Sequence, residues 1–161
     1  SHQENFSGRH LLDRRKLMGE MAMGLSGIAL AQLLGDMNET PAPSPRQQLH
    51  HMAQVYVAMA REQTALWKMV FMHQMQNAAA VPGWYLEKTA TLFREVEARM
   101  DQLAQQQDTA QIHLAARTLW GSVHGIALLA ADDKLVVAGD VDAQAMIESL
   151  LQHYLNSWAG E

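Results

Sequence analysis

The chemistry this chain could do depends mostly on its histidines. The sequence holds 8 of them and 0 cysteines, so thiolate nucleophiles, disulfides and cysteine-ligated metal sites are excluded. The most suggestive histidine lies in TLWGSVHGIALLA, residues 118–130. There His124 follows Trp120 by four residues, and Gly125 follows Gly121 by the same spacing. A histidine in so apolar a stretch is a general base, a metal ligand, or a ring packed into a wall.

General-base catalysis on a hydroxyl needs a serine within reach. The nearest is Ser122, and residues two apart on a helix point to different faces. A zinc site wants further histidines or carboxylates at three- or four-residue spacing, as in HExxH, and none is present around His124. His50 and His51 are adjacent and so diverge, while His73 and His113 stand alone. The structural or pocket-lining role is the stronger one. No catalytic residue, metal or cofactor is expected, and the chain is not expected to be an enzyme.

Placing that stretch on a helical wheel sharpens the reading. With Trp120 at zero, His124 falls at about 40° and Val123 at about −60°, on one broad apolar arc. Gly121 and Gly125 fall at about 100° and 140°, an adjoining strip without side chains. A helix apolar through most of its turn must be covered on more than one side. Each glycine costs about 1 kcal/mol of helix propensity that a close contact must offset.

The elements that hold this stretch are helices throughout. Ser44 caps a helix with Pro45 at its first position, where the missing N–H costs nothing. Its apolar face carries Leu49, Met52, Ala53, Tyr56, Val57 and Ala60 at three-and-four spacing. A break is expected at 62–64. A third helix follows over roughly 65–75, a fourth from Pro82 to about Gln106, and a fifth capped by Asp108 and running through Ala130. Asp140 or Asp142 starts the last one. An earlier helix over 11 to about 36 precedes the linker ETPAPSP, residues 39–45. The sequence thus predicts an all-α bundle of about six helices. Only LVV, inside the connector KLVVA, is strand-like, and it is too short to count.

Composition bounds the function. The 161 residues are 48% hydrophobic and 18% charged, enough to bury a real core. A net charge of −5 makes the chain a poor binder of nucleic acid by itself, since phosphate contacts need concentrated cations. The 11 methionines suit a wall that adapts to varied ligands. The lack of cysteine fits a reducing cytoplasm. One alternative stays open: DRRKLMGEMAMGLSGIALAQLLGD, residues 13–36, is like a twin-arginine export signal, which would make residues 1–37 a leader on an exported helical protein. The run is too short, and too interrupted by Glu20, to cross a membrane as a helix.

Trp120, His124 and Gly125 in LWGSVHGIALL resemble the signature of the WHG-type C-terminal domain in TetR-family transcriptional regulators. PRQQLHHMAQVYVAMAREQTALWKMVF (45–71), PGWYLEKTATLFREVE (82–97) and DDKLVV with the amphipathic helix after it are similar to further parts of that domain. The resemblance covers about 45–158. FSGRHLL (6–12) is similar to the phrase that follows the family's DNA-recognition helix, so the helix-turn-helix itself is expected to be absent from this chain.

The resemblance implies a domain over 44–161 that binds a small hydrophobic effector and forms a homodimer, after an N-terminal segment over 1–43. DNA would then be contacted only through a helix-turn-helix not present here, with no membrane partner, in the cytoplasm. Tyr56, Met59, Trp67, Phe71, Met72, Met75, Trp84, Phe93, Trp120 and His124 are the candidate ligand-binding residues, with Tyr56 and His124 orienting a polar ligand group. Ordinary core is an equally open reading for each of them singly. Leu119, Gly121, Gly125, Leu128, Ile147, Leu150, Leu151, Tyr154 and Trp158 are the candidate dimer interface. The alternative is that these faces simply close the monomer core.

Overall fold

A computed structural model describes residues 43–71, 83–104 and 106–160, with the side chains of 66, 69–71, 84, 85 and 88 excepted. The described residues form five α-helices: α1 Pro45–Glu62, α2 Thr64–Phe71, α3 Gly83–Leu103, α4 Thr109–Ala131 and α5 Ala143–Ala159. A 3-10 turn, Lys134–Ala138, joins α4 to α5. There is no strand among them, and the architecture is an all-α bundle. The helix expected over 11–36, the leader expected over 1–37 and Pro82 lie outside the described residues.

The helix starts follow local chemistry. Ser44 accepts from the Gln47 backbone N–H while the Gln47 side chain accepts from the Ser44 N–H, a reciprocal capping box ahead of Pro45. Asp108 and Asp142 cap α4 and α5 by accepting from Gln111 N and Ala145 N. Each such cap contributes roughly 1 kcal/mol. Of the two aspartates expected to open the last helix, Asp142 does so. Asp140 instead sits at φ +57, outside any helix.

The breaks are equally local. Gln63 ends α1 in a non-helical conformation, and the Thr64 hydroxyl folds back to donate to the Ala60 and Arg61 carbonyls. α3 ends at Leu103, close to the expected end at about Gln106, and Gln106 itself lies outside the helix at φ +82. The LVV run, with its two β-branched valines, coils into the 3-10 turn, held between Asp133 and Gly139, both left-handed.

The core lies where α1, α3, α4 and α5 meet. Val57, Trp67, Met100, Ala127, Ile147, Leu151 and Leu155 are fully buried there. Each large aliphatic side chain among them contributes about 1.5–3 kcal/mol by leaving water. α4 runs through the middle and packs on α1, α3, α5 and the 3-10 turn, as a helix apolar on several sides must. By length and composition alone α4 could cross a membrane, yet it carries the bundle's core through Leu119, Val123, Ile126 and Ala127. Polar ties lock the ends. Trp158 Nε1 donates to the Met100 carbonyl at 2.9 Å, Tyr154 Oη to the Ala115 carbonyl at 3.0 Å, and Arg46 to Asn156 Oδ1 at 2.7 Å.

Candidate functional site

α1 and α4 cross so that Tyr56 meets His124, with Tyr56 Oη 2.8 Å from His124 Nδ1. The two residues are 68 apart in sequence. Trp120, one turn before His124 on α4, stacks on the imidazole at 5.0 Å and 26°. Trp67 from α2 stacks on it at 5.2 Å and 29° and meets Tyr56 edge-on at 6.1 Å. Three helices therefore converge on one histidine ring, and stacks of this kind contribute roughly 0.5–1.5 kcal/mol beyond their buried area.

The cluster continues to the surface. Phe93 from α3 meets Trp120 edge-on at 5.8 Å, and the Arg117 guanidinium lies over the Phe93 ring, 4.6 Å from its centre. Arg117 is itself held by Glu97 Oε1 at 2.6 Å and the His113 carbonyl at 2.9 Å. On the other side, Lys68 of α2 pairs with Asp132 at 2.6 Å, and Lys134 reaches the same carboxylate at 3.1 Å. Asp132 closes the C-terminus of α4, where the helix dipole disfavours an anion. Hydrogen bonds from Lys68 and then Lys134 hold its carboxyl below the ordinary range, against the smaller opposing effect of desolvation. This clamp seats α2, and with it Trp67, against α4.

A pocket of about 60 Å³ opens beside the cluster. α1 supplies Leu49, Met52, Ala53 and Tyr56; α3 supplies Leu92, Phe93 and Val96; α4 supplies Leu119, Trp120 and Val123; α5 supplies Leu151. The walls are hydrocarbon and aromatic ring, and Tyr56, whose hydroxyl is hydrogen-bonded to His124, is one of them. Among the described residues no group of three or more histidines and carboxylates could hold a metal ion.

The expected ligand-binding residues distribute unevenly. Tyr56, Phe93 and Trp120 line the pocket, while His124 and Trp67 stand behind Tyr56 and Trp120 as their support. Met59 is half-buried on α1 and is not in the wall. Met72 and Met75 lie outside the described residues, as do the side chains of Phe71 and Trp84. Leu49, Met52, Ala53, Leu92 and Val96 were legible only as core stripe. The signal was there on α1, where Leu49, Met52, Ala53 and Tyr56 share one face at helical spacing.

The expected interface residues also divide. Leu119, Ile147 and Leu151 are 4%, 0% and 0% exposed, inside the chain's own core where a second subunit does not reach. Tyr154 and Trp158 spend their polar atoms on Ala115 and Met100 of the same chain. Leu128 and Leu150 are half-buried against the core. Gly121 and Gly125 are exposed, and a Cβ added to either meets nothing within 4 Å. The glycine strip therefore closes no contact among the described residues and faces outward.

Burial lowers the His124 pKa from its ordinary 6.5, and burial together with Arg46 outweighs Glu148 in lowering that of His50. Both rings resist protonation when folded and accept it freely when unfolded. The unfolded chain therefore binds more protons as pH falls through the ordinary histidine range, and stability drops with it. The thermal midpoint is expected to hold steady above about pH 7.5 and to fall between about pH 6.5 and 5. Loss of the Asp132 clamp belongs to a lower window, near carboxylate protonation. His124→Gln should flatten the upper slope in differential scanning calorimetry; an unchanged slope would place its origin in other groups.

Compared with known proteins, the chain matches no curated protein. A family model does match: the tetracyclin repressor-like, C-terminal domain, over residues 49–154, about two thirds of the chain. That span runs from the first pocket residue on α1 to Tyr154 on α5 and takes in the Tyr56–Trp67–Trp120–His124 cluster. With an all-α bundle and the LWGSVHG stretch at its centre, the chain belongs to the tetracyclin repressor-like C-terminal domain family.

Proposed function

We propose that this domain senses a small hydrophobic effector and dimerises, as the regulatory half of a cytoplasmic transcriptional regulator. DNA recognition falls to a module outside the described helices. The pocket between α1, α3 and α4 is the observation that carries the reading. It is apolar, Tyr56 of the Tyr56–His124 pair forms part of its wall, and it sits where three helices can be pushed relative to one another. At about 60 Å³ it is well below the roughly 300–1,000 Å³ of a site holding a drug-sized ligand. Effector entry must therefore widen it, and widening is how binding reaches the rest of the fold.

The dimer reading rests on the outward face of α4. Leu114, Thr118, Gly121, Gly125 and Leu128 repeat at alternating four- and three-residue steps, the spacing of a helix-packing seam. Leu114 is 69% exposed, and the glycines leave room for a neighbouring backbone. The polar, small-residue side of α5 (Ala145, Glu148, Ser149, Gln152) is likewise exposed.

Sedimentation velocity on the 161-residue chain is expected to show a dimer at micromolar concentration. Gly121→Glu with Gly125→Glu, which meets no obstacle within the chain, should give a monomer of unchanged helicity. A wild-type monomer at high micromolar concentration overturns the dimer. Binding of N-phenyl-1-naphthylamine, a neutral fluorescent hydrophobe, tests the pocket, and its failure to bind saturably counts against effector sensing.

A further inference from the structure

We propose that α3 is the wall that yields when the effector enters, and that Arg117, reaching from α4 to α3, is the latch that holds it shut and sets the affinity. This rests on the effector-sensing reading above and adds its control.

The burial of the walls decides which one moves. α1 gives the pocket Leu49 and Ala53, α4 gives Leu119 and Val123, and α5 gives Leu151, all 6% exposed or less. The three side chains from α3, Leu92, Phe93 and Val96, are only half-buried. The hydrophobic cost of opening follows the apolar area uncovered, so α3 is the cheapest wall to displace. Further along, the same helix is fixed. Arg99 and Met100 are 5% and 0% exposed, and Trp158 Nε1 donates to the Met100 carbonyl at 2.9 Å. Displacing the pocket wall is thus a swing of α3 about Met100.

Arg117 opposes this swing at two points. Its guanidinium bonds Glu97 Oε1 at 2.6 Å and lies over the Phe93 ring, 4.6 Å from its centre. Its own helix holds it through the His113 carbonyl, and His113 Nε2 stands 3.6 Å from the other Glu97 oxygen. At a rise of about 1.5 Å per residue, Glu97 lies about 4.5 Å and Phe93 about 10.5 Å from Met100 along α3. Moving Phe93 outward by about 2 Å therefore moves Glu97 by about 0.9 Å. That stretches the ion pair beyond good hydrogen-bonding distance. It also carries the ring past the roughly 6 Å reach of a cation–π contact. Both contacts belong to the closed pocket and weaken in the open one, which is the differential a latch needs. Arg117 does not itself line the pocket, so removing it takes no wall from the ligand.

Titration of the 161-residue chain with N-phenyl-1-naphthylamine, followed by its fluorescence, tests this. Arg117→Met is expected to bind the probe about fivefold tighter than wild type, the combined effect of an exposed ion pair and a cation–π contact. Glu97→Gln should shift affinity in the same direction, and serves if Arg117→Met does not fold. Raising sodium chloride from about 0.05 to about 0.5 M screens the pair and should tighten wild-type binding more than that of either variant. A residue that merely supports the fold gives another sign, since its loss weakens binding or leaves it alone. Equal or weaker binding by the folded variants overturns the proposal, and so does a salt response that they share with wild type. If wild type binds the probe and neither variant binds tighter, the latch falls and effector sensing stands. If no protein binds it, both fall.

Discussion

Trp67→Ala is expected to lower the unfolding free energy by about 3–5 kcal/mol, the range for emptying a buried large aromatic site. Trp67 is 1% exposed, on α2, a helix of 8 residues that the Lys68–Asp132 pair also ties to the end of α4. Its indole stacks on His124 and meets Tyr56 edge-on, so removal opens a cavity behind both. Against a typical total of about 5–15 kcal/mol, the loss takes a large share and brings the variant near unfolding at 37 °C. Urea titration followed by circular dichroism measures it. Trp67→Phe keeps a ring in the site and should cost clearly less. A loss under about 1 kcal/mol for the alanine variant would show that α2 is not part of the cooperative core.

Ile147→Ala is expected to cost about 2–5 kcal/mol, and to cost the same at every protein concentration. Ile147 is fully buried among Leu151, Leu155 and the α4 core residues. The cavity opens inside one subunit, so subunit association does not enter the difference. Interface substitutions behave oppositely: their apparent cost depends on protein concentration through mass action. Denaturant midpoints for Ile147→Ala and Gly125→Glu, each at two concentrations a hundredfold apart, separate the cases. A cost for Ile147→Ala that varies with concentration would return this residue to the interface.

These two residues show how far one-dimensional patterning reaches. The amphipathic stripe of α5 correctly marks Met146, Ile147, Leu150, Leu151, Tyr154, Leu155 and Trp158 as its apolar side. It does not say whether that side meets another helix of the same chain or of a second one. Burial by a neighbour looks alike in sequence whichever chain supplies it, because the hydrophobic effect is non-directional. In the same way, Leu49 and Met52 read as core, and only the small void beside them makes them pocket wall. Lys68 and Asp132 passed without notice, since a pairing across 64 positions leaves no local signal.

Helix positions, by contrast, rest on short-range chemistry. Ser44 with Pro45, Asp108 and Asp142 mark their starts through bonds spanning three residues. The connector KLVVA closes as a 3-10 turn between two left-handed residues, Asp133 and Gly139. The LWGSVHG stretch carries both kinds of information. Its sequence alone established that Trp120 and His124 share a face and that His124 has no catalytic partner nearby, because a helix turns by a set angle per residue. Only the tertiary structure brought Tyr56 and Trp67 onto His124 and turned the glycines outward, because those placements depend on how separate helices cross, and no local periodicity encodes a crossing.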